Sequence, residues 1–135
     1  MIIWRIMGFR ASPEEHTVIR TWYVSSGEKE KAKFDSTLKF LVERPRREWT
    51  KPAQNPRYKP LDPPFDGFGE IRFEVRNIQH RPIGFFSASD EFTILEFATE
   101  RNDRFPPGLE QKIKARRQLV SGNKGRHTHE WRIVV

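Results

Sequence analysis

The apolar positions of this chain repeat with two different periods, and each period marks its own kind of segment. Over residues 68–76 the period is two: Ile71, Phe73 and Val75 fall on one side of an extended chain, with Glu70, Arg72, Glu74 and Arg76 on the other. Phe34, Leu38, Leu41 and Val42 instead recur at helical spacing, while Lys29, Lys31, Asp35 and Lys39 face elsewhere. Ser25 with Glu28 has the form of a capping box for that helix, and Pro45 ends it. Residues 2–9 and 16–24 are rich in β-branched and aromatic side chains and read as strands, parted by Ala11-Ser12-Pro13-Glu14-Glu15. Residues 80–86 contain Pro82 and Gly84 and read as a strand that is bulged or edge-exposed near its start. Residues 91–97 are apolar on both sides apart from their ends and Thr93, which suits a central strand.

Pro106-Pro107 opens a second long helix, running to Val120 with Leu109, Ile113 and Val120 inward and Lys112, Lys114, Arg116 and Arg117 largely outward. Gly122 sits where a C-cap is expected, Asn123-Lys124-Gly125 reads as a turn, and residues 128–135 alternate Trp131, Ile133 and Val135 as a last strand. Two terminal strands around a strand–helix–three-strand–helix centre predict a single α+β domain over residues 1–135, with a twisted, mainly antiparallel sheet. Both helices are expected on one face of it. The face bearing Arg72 would then be open or would line a groove.

Composition changes this picture in one respect. The formal charge of +7 and pI near 10.1 favour a polyanionic partner, nucleic acid before an acidic protein or an anionic membrane. Eleven Phe and four Trp supply enough buried area to offset a hydrophobic content of only 36%, so the chain is expected to fold. With no cysteine there are no disulfides, thiol nucleophiles or cysteine–zinc sites, which fits the cytoplasm. The opening MIIWRIMGF is too short for a membrane span or a signal core, and no membrane association is expected. No P-loop, dinucleotide fingerprint or zinc spacing occurs, and His127 with His129 is weak evidence for a metal, so neither metal nor cofactor is expected.

The most informative stretch runs from Arg57 to Arg117, where successive strands carry guanidinium groups on a basic domain. Residues 45–66 hold six of the ten prolines, and there Arg46, Arg47, Lys51, Arg57 and Lys59 are interleaved with Trp49 and Tyr58. Cations mixed with aromatics suit backbone contact plus base stacking; the alternative is that the two rings pin the loop to the core. Arg81 shares the parity of Ile83 and Phe85, which places it beside the core unless Pro82 marks a bulge, and a charge so placed usually has a partner. The structural alternative for both Arg72 and Arg81 is a salt bridge with Glu70, Glu74 or Asp90. His80 titrates near neutral pH, and Glu96 would do so if burial raised its pKa.

In order along the chain, Lys59-Pro60-Leu61, Gly67-Phe68-Gly69-Glu70-Ile71-Arg72, His80-Arg81 and Ile94-Leu95-Glu96-Phe97 resemble motifs of the RelE/HigB superfamily of toxin–antitoxin toxins, phage-derived HigB-like branch. The resemblance covers about residues 17–117. Glu96 stands where the family has a histidine and His80 where it has a tyrosine. The family's lysine pair falls on Thr99 and Glu100, with Arg101 beside them. The resemblance implies a small RelE-like domain and a ribosome-dependent mRNA endoribonuclease that works by metal-independent 2′-hydroxyl attack. It points to Arg72 and Arg81 as phosphate-holding catalytic groups, with Lys59 and Arg101 as backbone clamps. By their own chemistry His80 and Glu96 are candidate catalytic groups, and Arg57, Trp49 and Tyr58 of the basic, aromatic loop are candidates for RNA binding. A cognate antitoxin, mRNA and the ribosome would be its partners. Two further readings share the fold: a non-catalytic nucleic-acid-binding module and a ParE-like, gyrase-directed toxin.

Overall fold

The computed structural model describes residues 1–99 and 105–133. Strand β1 (Arg5–Phe9) leads into helices α1 (Val18–Val24) and α2 (Glu28–Val42), and a short 3-10 turn (Arg46–Glu48) follows. Strands β2 (Tyr58–Pro60), β3 (Gly69–Ile71), β4 (Phe73–Val75), β5 (Ile78–Ala88) and β6 (Glu91–Thr99) come next. Helices α3 (Leu109–Gly122) and α4 (Lys124–His127) then precede β7 (Thr128–Trp131). Among the described residues these make an α+β domain on one sheet of seven strands, ordered β2-β3-β5-β6-β1-β7 with β4 also paired to β5. Every pairing is antiparallel except that of β1 with β6.

Residues 16–24 are the clearest departure from expectation. They form α1 and not a strand, because Ile19, Trp22 and Tyr23 fall on one helical stripe that packs into the core. Thr17 caps it, its hydroxyl accepting from Arg20 N at 3.1 Å. Ser25 caps nothing downstream; its Oγ donates back to the carbonyls of Thr21 and Trp22, and Gly27 is the N-cap of α2. Pro82 is paired within β5, and the irregularity lies further on. Opposite β5 the register passes from Ile83↔Glu96 to Gly84↔Ile94, leaving Leu95 of β6 without an opposite residue. Gly84 belongs there because a Cβ would run into the Thr93 carbonyl.

The helices divide between the two faces of the sheet, where one shared face was expected. Phe92 and Ile94 of β6 meet Phe34, Leu38 and Leu41 of α2 together with Ile19, while Ile83 and Leu95 meet Leu109 and Ile113 of α3. Full burial of such side chains contributes roughly 1.5–3 kcal/mol each. α3 runs through Gly122, and its C-cap is Asn123, one residue beyond the glycine expected there. The segment read as a turn is α4, started by the Asn123 side chain accepting from Arg126 N at 3.2 Å. Glu91, buried in the sheet, accepts from Ser87 and Lys124 and lies 3.1 Å from Arg5, so one carboxylate ties β6, α4 and β1 together. No helix among the described residues is long and apolar enough to cross a membrane.

Candidate nucleic-acid interface

The sheet register determines which of the charged side chains can meet. Lys59 pairs with Glu70, Glu70 with Ile83 and Ile83 with Glu96, so these four form one transverse row on the α3 side. Glu70↔Ile83 and Phe73↔His80 share one register, which sets Arg72 opposite Arg81 in the row beside it. Arg81 Nη1 lies 3.3 Å from Glu70 Oε1, and Arg72 Nε lies 3.6 Å from the same oxygen. The two arginines thus reach one surface from neighbouring strands and share a carboxylate. Glu70 and Arg81 are buried, and Arg72 is half-buried. Of the acidic partners anticipated for these arginines, Glu70 is the one both engage.

Glu96 lies further along the first row, with Lys112 Nζ at 3.1 Å and Arg116 Nη1 at 3.5 Å from its Oε2. Arg116 also donates to the Leu95 carbonyl at 2.7 Å. Those α3 cations occupy the Glu96 carboxylate, which faces them and not the arginine pair. Lys59 is exposed on the edge strand β2, one place from Glu70.

His80 is separated from this group. Alternation turns it to the opposite face from Arg81, where its ring stacks on Phe73 at 5.0 Å and meets Trp22 edge-on at 5.8 Å. Burial lowers its pKa, opposed by the charge of Glu30. A proton relay between His80 and the arginine pair therefore has the sheet in its way.

Trp49 and Tyr58 are core residues, a correction to their expected role as stacking platforms. Trp49 is fully buried, packs on Trp4 at 5.1 Å and donates its indole N–H to the Arg44 carbonyl at 3.1 Å. Tyr58 meets Trp49, Phe86 and Phe92, and it covers Gly69 so closely that a Cβ there would strike its hydroxyl. Burial pushes the Tyr58 hydroxyl up to about 12, against the nearby Arg46 charge. Neither ring has a face free for a base.

Arg57 is held differently again, its guanidinium 3.7 Å from the centre of the Phe40 ring on α2. Its carbonyl accepts from Arg72 N at 2.8 Å, which ties the end of the long loop to the break between β3 and β4. Arg101 lies outside the described residues. His127, singled out with His129 as weak evidence for a metal, is buried in α4, its Nδ1 3.2 Å from the Arg10 carbonyl and its ring stacked on Phe9. No group of three or more His, Cys, Asp or Glu placed to hold a metal occurs among the described residues.

Lys33 was missed as a candidate. It lines a polar cleft with Arg57 and Arg72, and the only signal was its place one and two turns before Thr37 and Phe40 on α2. Compared with known proteins, the chain matches no family model, no curated protein and no solved structure.

Proposed function

We propose that this chain is the toxin of a toxin–antitoxin pair that acts on RNA, with Arg72 and Arg81 as its phosphate-holding groups. The observation that carries the reading is their convergence: two guanidiniums on neighbouring strands, in opposed register, meet at Glu70 on one surface. A planar guanidinium matches two phosphate oxygens at once, and a pair fixed by a carboxylate needs little reorganisation to receive them. In strand cleavage the 2′-hydroxyl gives its proton to water as its oxygen bonds to the adjacent phosphorus. The bond from phosphorus to the 5′-oxygen breaks, that oxygen takes a proton from water, and a 2′,3′-cyclic phosphate is left. Guanidinium groups stabilise the charge that builds on the remaining oxygens. The cytoplasm, a cognate antitoxin, and mRNA on the ribosome complete the reading.

One observation favours a second reading, RNA binding without cleavage. His80 faces away from the arginines and Glu96 is held by Lys112 and Arg116, so neither is placed as the proton acceptor. Inducible expression with mapping of transcript ends separates the two. Arrested growth with new internal ends, both lost in Arg72→Ala at unchanged thermal midpoint, is the expected result. Salt-sensitive RNA binding with intact transcripts would select the second reading. DNA-damage signalling with intact transcripts would point to gyrase, and full toxicity in Arg72→Ala would remove the arginine pair from the mechanism.

A further inference from the structure

A cleft of about 420 Å³ opens between α2 and the segment leading into β2, on the side of Arg72 away from Glu70's row. Its walls come from three elements: Lys33 and Thr37 of α2, Asn55 and Arg57 of the loop, and Arg72 and Glu74 at the strand break. Three cations therefore face one carboxylate. That carboxylate accepts from the Gln79 side chain, and the Thr37 hydroxyl donates to the Lys33 carbonyl at 2.7 Å. Among the described residues, no carboxylate lies within ion-pair distance of Lys33 or Arg57. Other cations do have acidic partners: Arg5 and Lys124 pair with Glu91, and Lys112 and Arg116 with Glu96.

The Arg57 guanidinium does not wander. It lies over the Phe40 ring and the Arg57 carbonyl accepts from Arg72 N, so Arg57 is held from both ends beside the cleft it lines. A concave polar site lined by three cations and one carboxylate, two of whose cations have no ion pair among the described residues, suits an oxyanion.

We propose that this cleft holds a phosphodiester of single-stranded RNA, adjacent to the one engaged by Arg72 and Arg81; the inference rests on the RNA reading above. Arg72 borders both places. The strand would pass over it from the α3 side of the sheet, round the break between β3 and β4, and onto α2. Lys33 and Arg57 are then positioning residues, which hold the strand and touch no reacting atom.

The test is binding of a short uridine-rich single strand to the full chain, followed by anisotropy across a salt series. Wild type is compared with Lys33→Gln/Arg57→Gln and with an equal-charge control on exposed positions, Arg20→Gln/Arg132→Gln. Two lost phosphate contacts should flatten the plot of log affinity against log salt by about 1.4, at about 0.7 per contact for a single strand. The control should move it by much less. Equal slopes in the two double variants would overturn the proposal. Polyglutamate displacing the strand as well as RNA does, charge for charge, would also overturn it and reassign the cleft to an acidic protein. No RNA binding by wild type would bring down the proposed function itself, a failure distinct from equal slopes. If the double variant does not fold, Lys33→Glu at its exposed helical position carries the same comparison alone.

Discussion

The two faces of the sheet are packed by different means. On the α1–α2 side the core is a continuous set of rings: Trp22 stacks on Phe97 at 4.7 Å, and Trp49 and Phe86 join Trp4, Tyr58 and Phe92. On the α3 side a smaller cluster, with Phe9 and Phe68 beside Ile83, Leu95, Leu109 and Ile113, is bordered by Glu70, Arg81 and Glu96. Aromatic pairs add about 0.5–1.5 kcal/mol each beyond their burial. Burying charge has the opposite sign unless partners restore what water supplied. One face therefore contributes most of the stability, and the other tolerates an arrangement that stability alone does not favour.

The most severe way to break the comparison is to attack the ring-lined side. Trp49→Ala should cost about 3–5 kcal/mol in chemical denaturation, since the cavity sits among four other rings. Any loss of RNA binding should then track the unfolded fraction. If Trp49→Ala kept full stability and lost RNA binding, the ring would be a contact after all.

Next comes the charged side. Glu70→Gln removes the carboxylate between two guanidiniums and should destabilise by about 3 kcal/mol. Adding Arg81→Met to it should recover much of that loss, because an apolar side chain of similar length needs no partner. Failure of the second change to help would mean that Arg81 is held by more than its charge.

A pH series probes the aromatic side more gently. The folded-state pKa of His80 is lowered by burial, so below the ordinary value of 6.5 the unfolded chain takes up the proton first. Stability is then complete above that value and declines as pH falls from 6.5 towards the lowered pKa. His80→Phe should flatten this limb, read as denaturant midpoints at neutral and acidic pH. An unchanged limb would show that other groups cause the decline. The smallest effect is expected at an exposed pair on α3: Lys114→Ala should cost only about 0.3–0.5 kcal/mol, since Lys114 and Glu110 are screened by solvent.

How far each element could be read from sequence depends on whether period and composition agree. They agree in α2, in α3 and over residues 68–76, and there the inward sets Phe34–Leu38–Leu41–Val42, Leu109–Ile113–Val120 and Ile71–Phe73–Val75 are all buried. They conflict in α1, where β-branched residues suggested a strand although Ile19, Trp22 and Tyr23 have helical spacing. Thr17 was the overlooked cap. In the candidate site, the parity of Arg81 with Ile83 correctly placed it beside the core. Parity could equally have put His80 on the far side from it. Trp49 and Tyr58 were ambiguous because a proline-rich stretch hides whether a ring lies on the surface or beneath it. The partnership of Lys33 with Arg57 joins residues far apart in the chain, and no local pattern encodes it.

The surplus residue in β6 has a consequence for the whole division. Before Leu95, even-numbered side chains of that strand turn towards the rings; after it, odd-numbered ones do, so Phe97 reaches Trp22 and Glu96 reaches Lys112. Without this phase slip the carboxylate would be driven into the rings and the phenylalanine out beside the cations. The slip absorbs a single extra amino acid, so shortening the strand by Leu95 alone would leave Phe97 among the rings and Glu96 beside the cations, whereas an insertion or deletion beyond it would turn the far half of the strand inside out.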